Sequence, residues 1–304
     1  MSTPTPRLRA VGRDKLRPWF SEVRRQGLGF TLVVLVILGL FGFIGAVLFL
    51  PDLAGGLVGP TAAAHTGQHF RIRSHRVHDL TFSFLFATAI VGLLAQLRAP
   101  SKNVAGQLMA LIPWVGLALV IPLTDYWIPP GTGFQIIATV IFGGLTLGAT
   151  MLHPAGRHLF GSFRMSRANR VMLALVVIAA VPLLAYASTN IGLQRTAASG
   201  NEHFDLGHYG FMAAFSLTVL GVGLLASLRP DGWRLTAWVA GLLPALLGVT
   251  SLVYTDIGSS LSPGWAVAAI AWGIVFVTAA QLTRDTERPP PLSNVVRRQD
   301  RHGV

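Results

Sequence analysis

The run that decides the fold lies between residues 28 and 50 and reads LGFTLVVLVILGLFGFIGAVLFL, 23 residues without an Asp, Glu, Lys or Arg. At a rise of about 1.5 Å per residue, a helix of that length crosses a hydrocarbon core of roughly 30 Å. The run is continuously apolar and does not alternate, and a helix satisfies its own backbone hydrogen bonds in lipid. The sequence therefore predicts a transmembrane helix here and not a barrel strand.

Seven more uncharged stretches, each about 18 to 21 residues long, satisfy the same length requirement. They are Leu80–Leu97, Val104–Thr124, Phe134–Leu152, Val171–Ile191, His208–Leu228, Leu235–Thr255 and Trp265–Leu282. Only 12% of the 304 residues are charged, about half the usual fraction of a soluble domain, which excludes a soluble globular protein. The predicted fold class is an all-α membrane protein with eight transmembrane helices.

The charged residues predict the orientation of these helices. The chain has 24 Lys and Arg against 12 Asp and Glu. Twenty of the basic residues fall in the two tails and in the loops after the second, fourth and sixth helices. Basic residues mark the cytoplasmic side, so we expect both termini inside a bacterial-type plasma membrane, with anionic lipid as the partner of the basic face. This placement argues against nucleic acid as a partner.

An internal repeat organises the chain. Shifting the sequence by 131 residues places Val91–Arg98 on Val222–Arg229 and Pro113 on Pro244, with 11 identities across positions 91–125. We interpret this as a tandem duplication of a four-helix unit, whose copies are related by a pseudo-two-fold axis along the membrane normal. The predicted organisation is a basic cytoplasmic tail (1–27), a first unit (28–153), a basic cytoplasmic linker (154–170), a second unit (171–283) and a disordered cytoplasmic tail (284–304).

Glycines spaced along two of the predicted helices favour close helix packing. They are Gly144 and Gly148 in the fourth helix and Gly39, Gly42 and Gly45 in the first.

Candidate chemistry is concentrated at the outer face, where six of the nine histidines lie with several carboxylates. Imidazole and carboxylate together suit zinc, copper or iron, although none of the spacings is a recognised metal signature. The candidate metal ligands are His65, His69, His75, His78, Asp79, Asp125, His203, Asp205, His208 and Asp256. Three interpretations stay open: interfacial groups and helix caps, a metal or haem site, and acid-base or proton-sensing chemistry.

For haem, the candidate axial ligands are His78 and His208, which begin equivalent helices of the two units. Two tandem four-helix bundles resemble haem A synthases, a family that has ligand histidines on the second and fourth helix of each half. Here the eighth helix has no histidine, and the candidates near the fourth helix, His153 and His158, lie at the cytoplasmic end.

Two other activity classes have less support. A transporter usually places ionisable groups or broken helices at mid-membrane, and the predicted spans have no charged side chain between their ends. A hydrolase needs a nucleophile with a base, and Ser74, His75 and Ser83 lie near Asp79 without a nucleophile elbow. Whether the protein is an enzyme stays undecided.

The segments Pro60–Gly67, His78–Phe86 and Leu94–Arg98, followed later by Gly192–Arg195, resemble a bacterial membrane-protein family known as domain of unknown function 998. The likeness covers about residues 50–230. It implies several transmembrane helices and supplies no catalytic residues. The first hypothesis is therefore a structural or sensing membrane protein; the alternatives are a His-ligated metal or haem oxidoreductase and a small-molecule transporter.

Overall fold

A computed structural model describes residues 27–58, 76–124, 136–156, 158–161, 168–196, 202–255 and 259–283, with side chains of the first helix described as far as Ile44. Within these ranges every long regular element is a helix. The eight long helices are α1 (Leu28–Val58), α2 (Arg76–Gln96), α3 (Val104–Val120), α4 (Ile136–Met151), α5 (Arg170–Thr196), α6 (His208–Leu228), α7 (Trp233–Val253) and α8 (Pro263–Leu282).

Six of these helices are long and apolar enough to cross a membrane, namely α2, α3 with its following turn, and α5 to α8. The other two predicted spans are matched over shorter apolar stretches: side chains of α1 are described only over Leu28–Ile44, and α4 covers Ile136–Met151. The predicted all-helical membrane architecture is thus confirmed for the described residues, while eight spans stay a prediction. Some helices also continue past the uncharged runs. The uncharged run in α5 is Val171–Ile191, whereas the helix itself covers Arg170–Thr196.

Helix α6 lies at the centre of the bundle and contacts α2, α3, α5 and α7. It is the most enclosed of the six, whereas α5 and α8 are the least enclosed. Side chains such as Ile178 and Val181 on α5 point away from the bundle and are exposed. In a membrane these apolar surfaces face lipid, so their exposure carries no penalty.

Aromatic rings join α1, α2, α3 and α4 into one core. Phe41 stacks on Phe142 at 4.4 Å between ring centroids, and Trp114 lies 5.5 Å from Phe86 and 5.7 Å from Phe142. Offset and edge contacts at these distances add to the energy of burying the rings.

Close packing at glycine occurs in different helices from those predicted. A Cβ on Gly241 of α7 would lie 2.6 Å from the carbonyl oxygen of Gly273 on α8, so the two backbones touch. By contrast, nothing lies within 4 Å of a Cβ on Gly39, Gly42, Gly144 or Gly148. The prediction for those four glycines was wrong, because no described helix covers the helix faces on which they lie. The surroundings of Gly45, the fifth predicted glycine, are outside the described part of the chain.

A buried histidine, His153, links two helices at the end of the bundle where α4 ends. His153 follows α4, is 3% exposed and lies 5.1 Å from the ring of Phe30. Its Nδ1 accepts a hydrogen bond from the backbone N–H of Ala155, so its Nε2–H donates to Oε1 of Gln96 at 3.1 Å. Burial lowers the pKa of His153 to about 4, so this side chain is a neutral structural link between α4 and α2.

Candidate metal site

Three of the predicted ligands, His78, His203 and His208, meet at one end of the bundle. One ring nitrogen from each lies within 4.8 Å of the others. The ring centroids of His78 are 4.5 Å from His203 and 5.4 Å from His208, and His203 and His208 are 5.7 Å apart. His78 is 2% exposed and the other two are partly buried. We call these three residues the histidine cluster.

The cluster is assembled from three elements. His78 lies in the first turn of α2, and His203 lies in a four-residue helix, Glu202–Asp205. Gly207 then adopts a left-handed conformation with φ of 70°, which turns the chain so that α6 starts at His208. His203 and His208 are therefore brought together by a turn between two helices and not by one helical face.

Helix α5 supports the cluster from behind with an inward-facing polar stripe, Tyr186, Asn190 and Gln194. These residues are spaced by four, so they lie on one side of the helix. The Gln194 side chain donates to the carbonyl of Phe204 at 3.0 Å and accepts from the N–H of Gly210 at 3.1 Å. Gln194 thus holds the segment that carries His203 and His208.

Asn190 acts on His78 through Ser259, which lies between α7 and α8. The Nδ2 of Asn190 donates to the carbonyl of Tyr186 at 2.9 Å, so its Oδ1 is the atom that faces Ser259. The Ser259 hydroxyl donates to that Oδ1 at 2.9 Å and lies 2.8 Å from Nε2 of His78.

This donor and acceptor order fixes the proton on His78. Since the single hydroxyl proton of Ser259 goes to Asn190, the Ser259 oxygen accepts from His78, and Nε2 of His78 carries a hydrogen. A neutral imidazole with Nε2–H has its lone pair on Nδ1, the form that a metal ligand needs. The hydroxyl of Tyr186 also donates to the Ser259 carbonyl and secures the backbone of that residue.

The ring nitrogens of the cluster lie somewhat farther apart than the ligand atoms around a bound zinc ion. Neighbouring ligand atoms around a tetrahedral zinc with Zn–N bonds of about 2.0 Å are roughly 3.3 Å apart. The nitrogens of the cluster lie within 4.8 Å, so they need to approach by about 1.5 Å at most. Small side-chain rotations of the two partly buried histidines supply movements of this size.

Two further predicted ligands lie within the described residues but outside the cluster. Asp79 follows His78 in the first turn of α2, and Asp205 ends the short helix; neither belongs to the cluster. The prediction for five others concerns positions outside the described residues: His65, His69, His75, Asp125 and Asp256. Those five stay predictions.

Sequence reasoning missed the supporting residues Asn190, Gln194 and Ser259. A signal for the first two was present, because Tyr186, Asn190 and Gln194 are polar groups at four-residue intervals within or beside an apolar run. Ser259 is one of three serines in the segment between α7 and α8, and the sequence does not distinguish it from its neighbours.

A separate apolar cavity of about 430 Å³ lies between α5, α7 and α8. Its lining is mostly apolar and includes Pro182, Pro244, Trp265 and Trp272, with hydroxyl groups from Tyr186 and Thr189. Comparisons of the chain with protein families, with curated proteins and with solved structures found no significant match. The resemblance to the family of unknown function therefore stays a prediction.

Proposed function

We propose that the protein is a multi-pass membrane protein that binds one divalent transition-metal ion, zinc or copper, through His78, His203 and His208. The observation that carries this proposal is the approach of three imidazole nitrogens to within 4.8 Å of one another. Imidazole is a preferred ligand of both ions, and three histidines leave a fourth position for water or a further ligand.

The support around the cluster has the form expected for a metal site. A histidine that ligates a metal usually donates its other ring N–H to a nearby oxygen, which sets its tautomer and orientation. The Ser259 hydroxyl receives this bond from His78, and Asn190 orients the hydroxyl. A helix cap or a chance interfacial histidine does not require such a chain of buried polar groups.

The geometry favours a single ion over a haem. A haem iron with axial ligands His78 and His208 would place the macrocycle between them, perpendicular to the axial bonds. The ring of His203 lies 4.5 Å from His78 and 5.7 Å from His208, and Tyr209 lies 5.6 Å from His78. These rings occupy the space that the macrocycle would need.

An open fourth position supports two uses of the ion. In an enzyme, the ion would acidify a bound water, which could then attack a substrate. In a sensor, a further ligand would occupy the fourth position as the ion concentration changes. The histidines supply the neutral nitrogen donors, and Gln194 sets their spacing by fixing the turn between Phe204 and Gly210.

The decisive experiment is a metal-binding measurement on full-length protein purified in detergent without a polyhistidine tag. After removal of metal with a chelator, the wild type should take up about one zinc or copper ion per chain, measured by elemental analysis. His78→Ala and His208→Ala should each weaken binding at least ten-fold. His302→Ala removes a histidine from the C-terminal tail and serves as the matched control.

Two results would overturn the proposal. One is a wild type that binds neither ion more tightly than a variant in which all three histidines are alanine. The other is a Soret absorption band in the purified protein that is lost in His78→Ala, which would assign the histidines to a haem.

We also propose the arrangement in the membrane: eight spans, both termini cytoplasmic, in a plasma membrane, from duplication of a four-helix unit. Three observations support the duplication. Helices α2 and α6 each have 21 residues, and α4 and α8 end at Met151 and Leu282, 131 positions apart. His78 and Tyr209, also separated by 131 positions, make an edge-to-face contact, as equivalent residues do beside a two-fold axis. Reporter fusions at the loops test the topology.

A further inference from the structure

At the end of the bundle away from the histidine cluster, a cavity of about 600 Å³ lies where the turn between α6 and α7 meets the turn between α2 and α3. We call it the arginine pocket. The residues that line it are Asn103, Arg229, Asp231, Gly232, Trp233, Arg234 and Leu235. The two turns are in contact, since a Cβ on Gly232 would lie 2.8 Å from Cα of Asn103.

Arg229 is an unusual residue in this pocket. It is 8% exposed and, among the described residues, it alone of the non-glycine residues has a positive φ, at 52°. Its guanidinium lies 4.7 Å from the ring centroid of Trp233, and Nη2 donates to the carbonyl of Thr283 at 3.5 Å. A guanidinium has five N–H donors, so it can keep a protein acceptor and bind an anion at the same time.

A second guanidinium, that of Arg234, lies 5.7 Å from the centroid of the same Trp233 ring and is exposed. Among the residues that the structure describes, the cavity wall has two arginines, Arg229 and Arg234, and one carboxylate, Asp231, which is exposed. The described lining thus has more basic than acidic side chains, and one of its cations is buried where solvent screens it least.

We propose that the arginine pocket binds a phosphate-bearing anion, with Arg229 and Arg234 as the phosphate ligands. Arginine binds phosphate through two parallel N–H bonds, and the contact with the ring of Trp233 helps to hold the guanidinium of Arg229 in place. Phosphate groups line the membrane surface, so lipid headgroups are one source of such an anion. This site lies apart from the histidine cluster and does not depend on metal binding.

The test uses delipidated full-length protein in a neutral detergent and measures bound ligand by native mass spectrometry. The probes are dioleoylphosphatidylglycerol, dioleoylphosphatidylcholine and glycerol 1-phosphate. Arg234→Gln removes an exposed arginine of the pocket, and Lys102→Gln removes an exposed lysine that does not line it. Arg229→Lys keeps the charge of the buried residue and removes its fork of donors.

We expect Arg234→Gln to weaken phosphatidylglycerol binding about five-fold, and Lys102→Gln to change it less than two-fold. Arg229→Lys should weaken it as well, in protein whose thermal midpoint is unchanged. Binding of phosphatidylglycerol without glycerol 1-phosphate assigns the phosphate to a lipid headgroup, and equal competition by glycerol 1-phosphate assigns it to a soluble ester. Equal losses for Arg234→Gln and Lys102→Gln, or no preference for the two anionic probes over zwitterionic phosphatidylcholine, would overturn the proposal.

Discussion

Ser259→Ala is the sharpest test of how the histidine cluster is supported. The change removes the oxygen that accepts from Nε2 of His78 at 2.8 Å and the hydroxyl that donates to Asn190 at 2.9 Å. His78 then loses the group that holds its proton on Nε2, and both tautomers become accessible. Loss of such an outer hydrogen bond lowers metal affinity by roughly 10- to 100-fold, which is about 1.4 to 2.7 kcal/mol.

The assay is competition for zinc between the purified protein and a chelator of known affinity. Ser260→Ala is the matched control, because Ser260 is the adjacent residue and its hydroxyl donates to the carbonyl of Tyr254 at 2.7 Å and not to a histidine. Ser259→Thr keeps a hydroxyl at the same position and should recover most of the lost affinity.

The reasoning is refuted if the Ser259→Ala and Ser260→Ala proteins bind zinc with the same affinity while both stay folded. A purely structural role for Ser259 gives a different result: the thermal midpoint of the metal-free protein falls, and the zinc affinity of the folded fraction is unchanged. Measuring both quantities separates the two roles.

Three further predictions concern stability. Gly241→Ala should destabilise the protein by about 1 to 3 kcal/mol, because its Cβ would lie 2.6 Å from the Gly273 carbonyl and force α7 and α8 apart. Gly144→Ala, with nothing within 4 Å, should be neutral or gain up to about 1 kcal/mol; equal losses in detergent unfolding would contradict the packing. His153, with a folded pKa of about 4 below its ordinary 6.5, should contribute stability above pH 6.5 that is lost as the pH falls toward 4. A His153→Gln variant should show a flatter pH profile over this range. Saturating zinc, at about 100 times its dissociation constant, should stabilise the wild type by about 2.7 kcal/mol and leave His78→Ala unchanged, as measured by thermal unfolding.

The helices were predictable because the membrane imposes a length and an apolar composition that are readable along the chain. Their ends were less predictable. Apolar composition marks the hydrocarbon core, whereas a helix continues as long as its backbone hydrogen bonds do. Arg76 and Asp79 therefore lie within α2 although the uncharged run begins at Leu80.

Helix packing was not predictable from small residues alone. The Gly144 and Gly148 pair has the spacing of a packing motif, yet close backbone contacts occur at other glycines, for example between Gly241 and Gly273. The spacing of glycines along one helix indicates only that one face of that helix is smooth. Which surface another helix covers depends on the arrangement of the whole bundle, and that is a property of long-range contacts.

The residue types and the location of the candidate site could be predicted from the sequence. Which histidines come together in it could not. His78 and His208 were identified as a facing pair because they begin equivalent helices, whereas the closest ring to His78 belongs to His203. The position of His203 depends on the left-handed turn at Gly207 and on the bonds from Gln194. Neither can be read from histidine spacing.

If the two units arose by duplication, the asymmetry of the site has a physical reason. His78 and Tyr209 occupy equivalent positions and touch each other beside the proposed axis, with ring centroids 5.6 Å apart. A histidine at both positions would place two imidazoles against each other and two competing sites in one small volume. With tyrosine in the second unit, a single histidine lies beside the proposed axis, and the other two come from the short helix before α6 and from the first residue of α6. The second unit also contributes Asn190, Gln194 and Ser259, so the first unit supplies one ligand, and the second supplies the other two together with the residues that orient the site. Separation of the two units should therefore abolish metal binding even where each unit still folds.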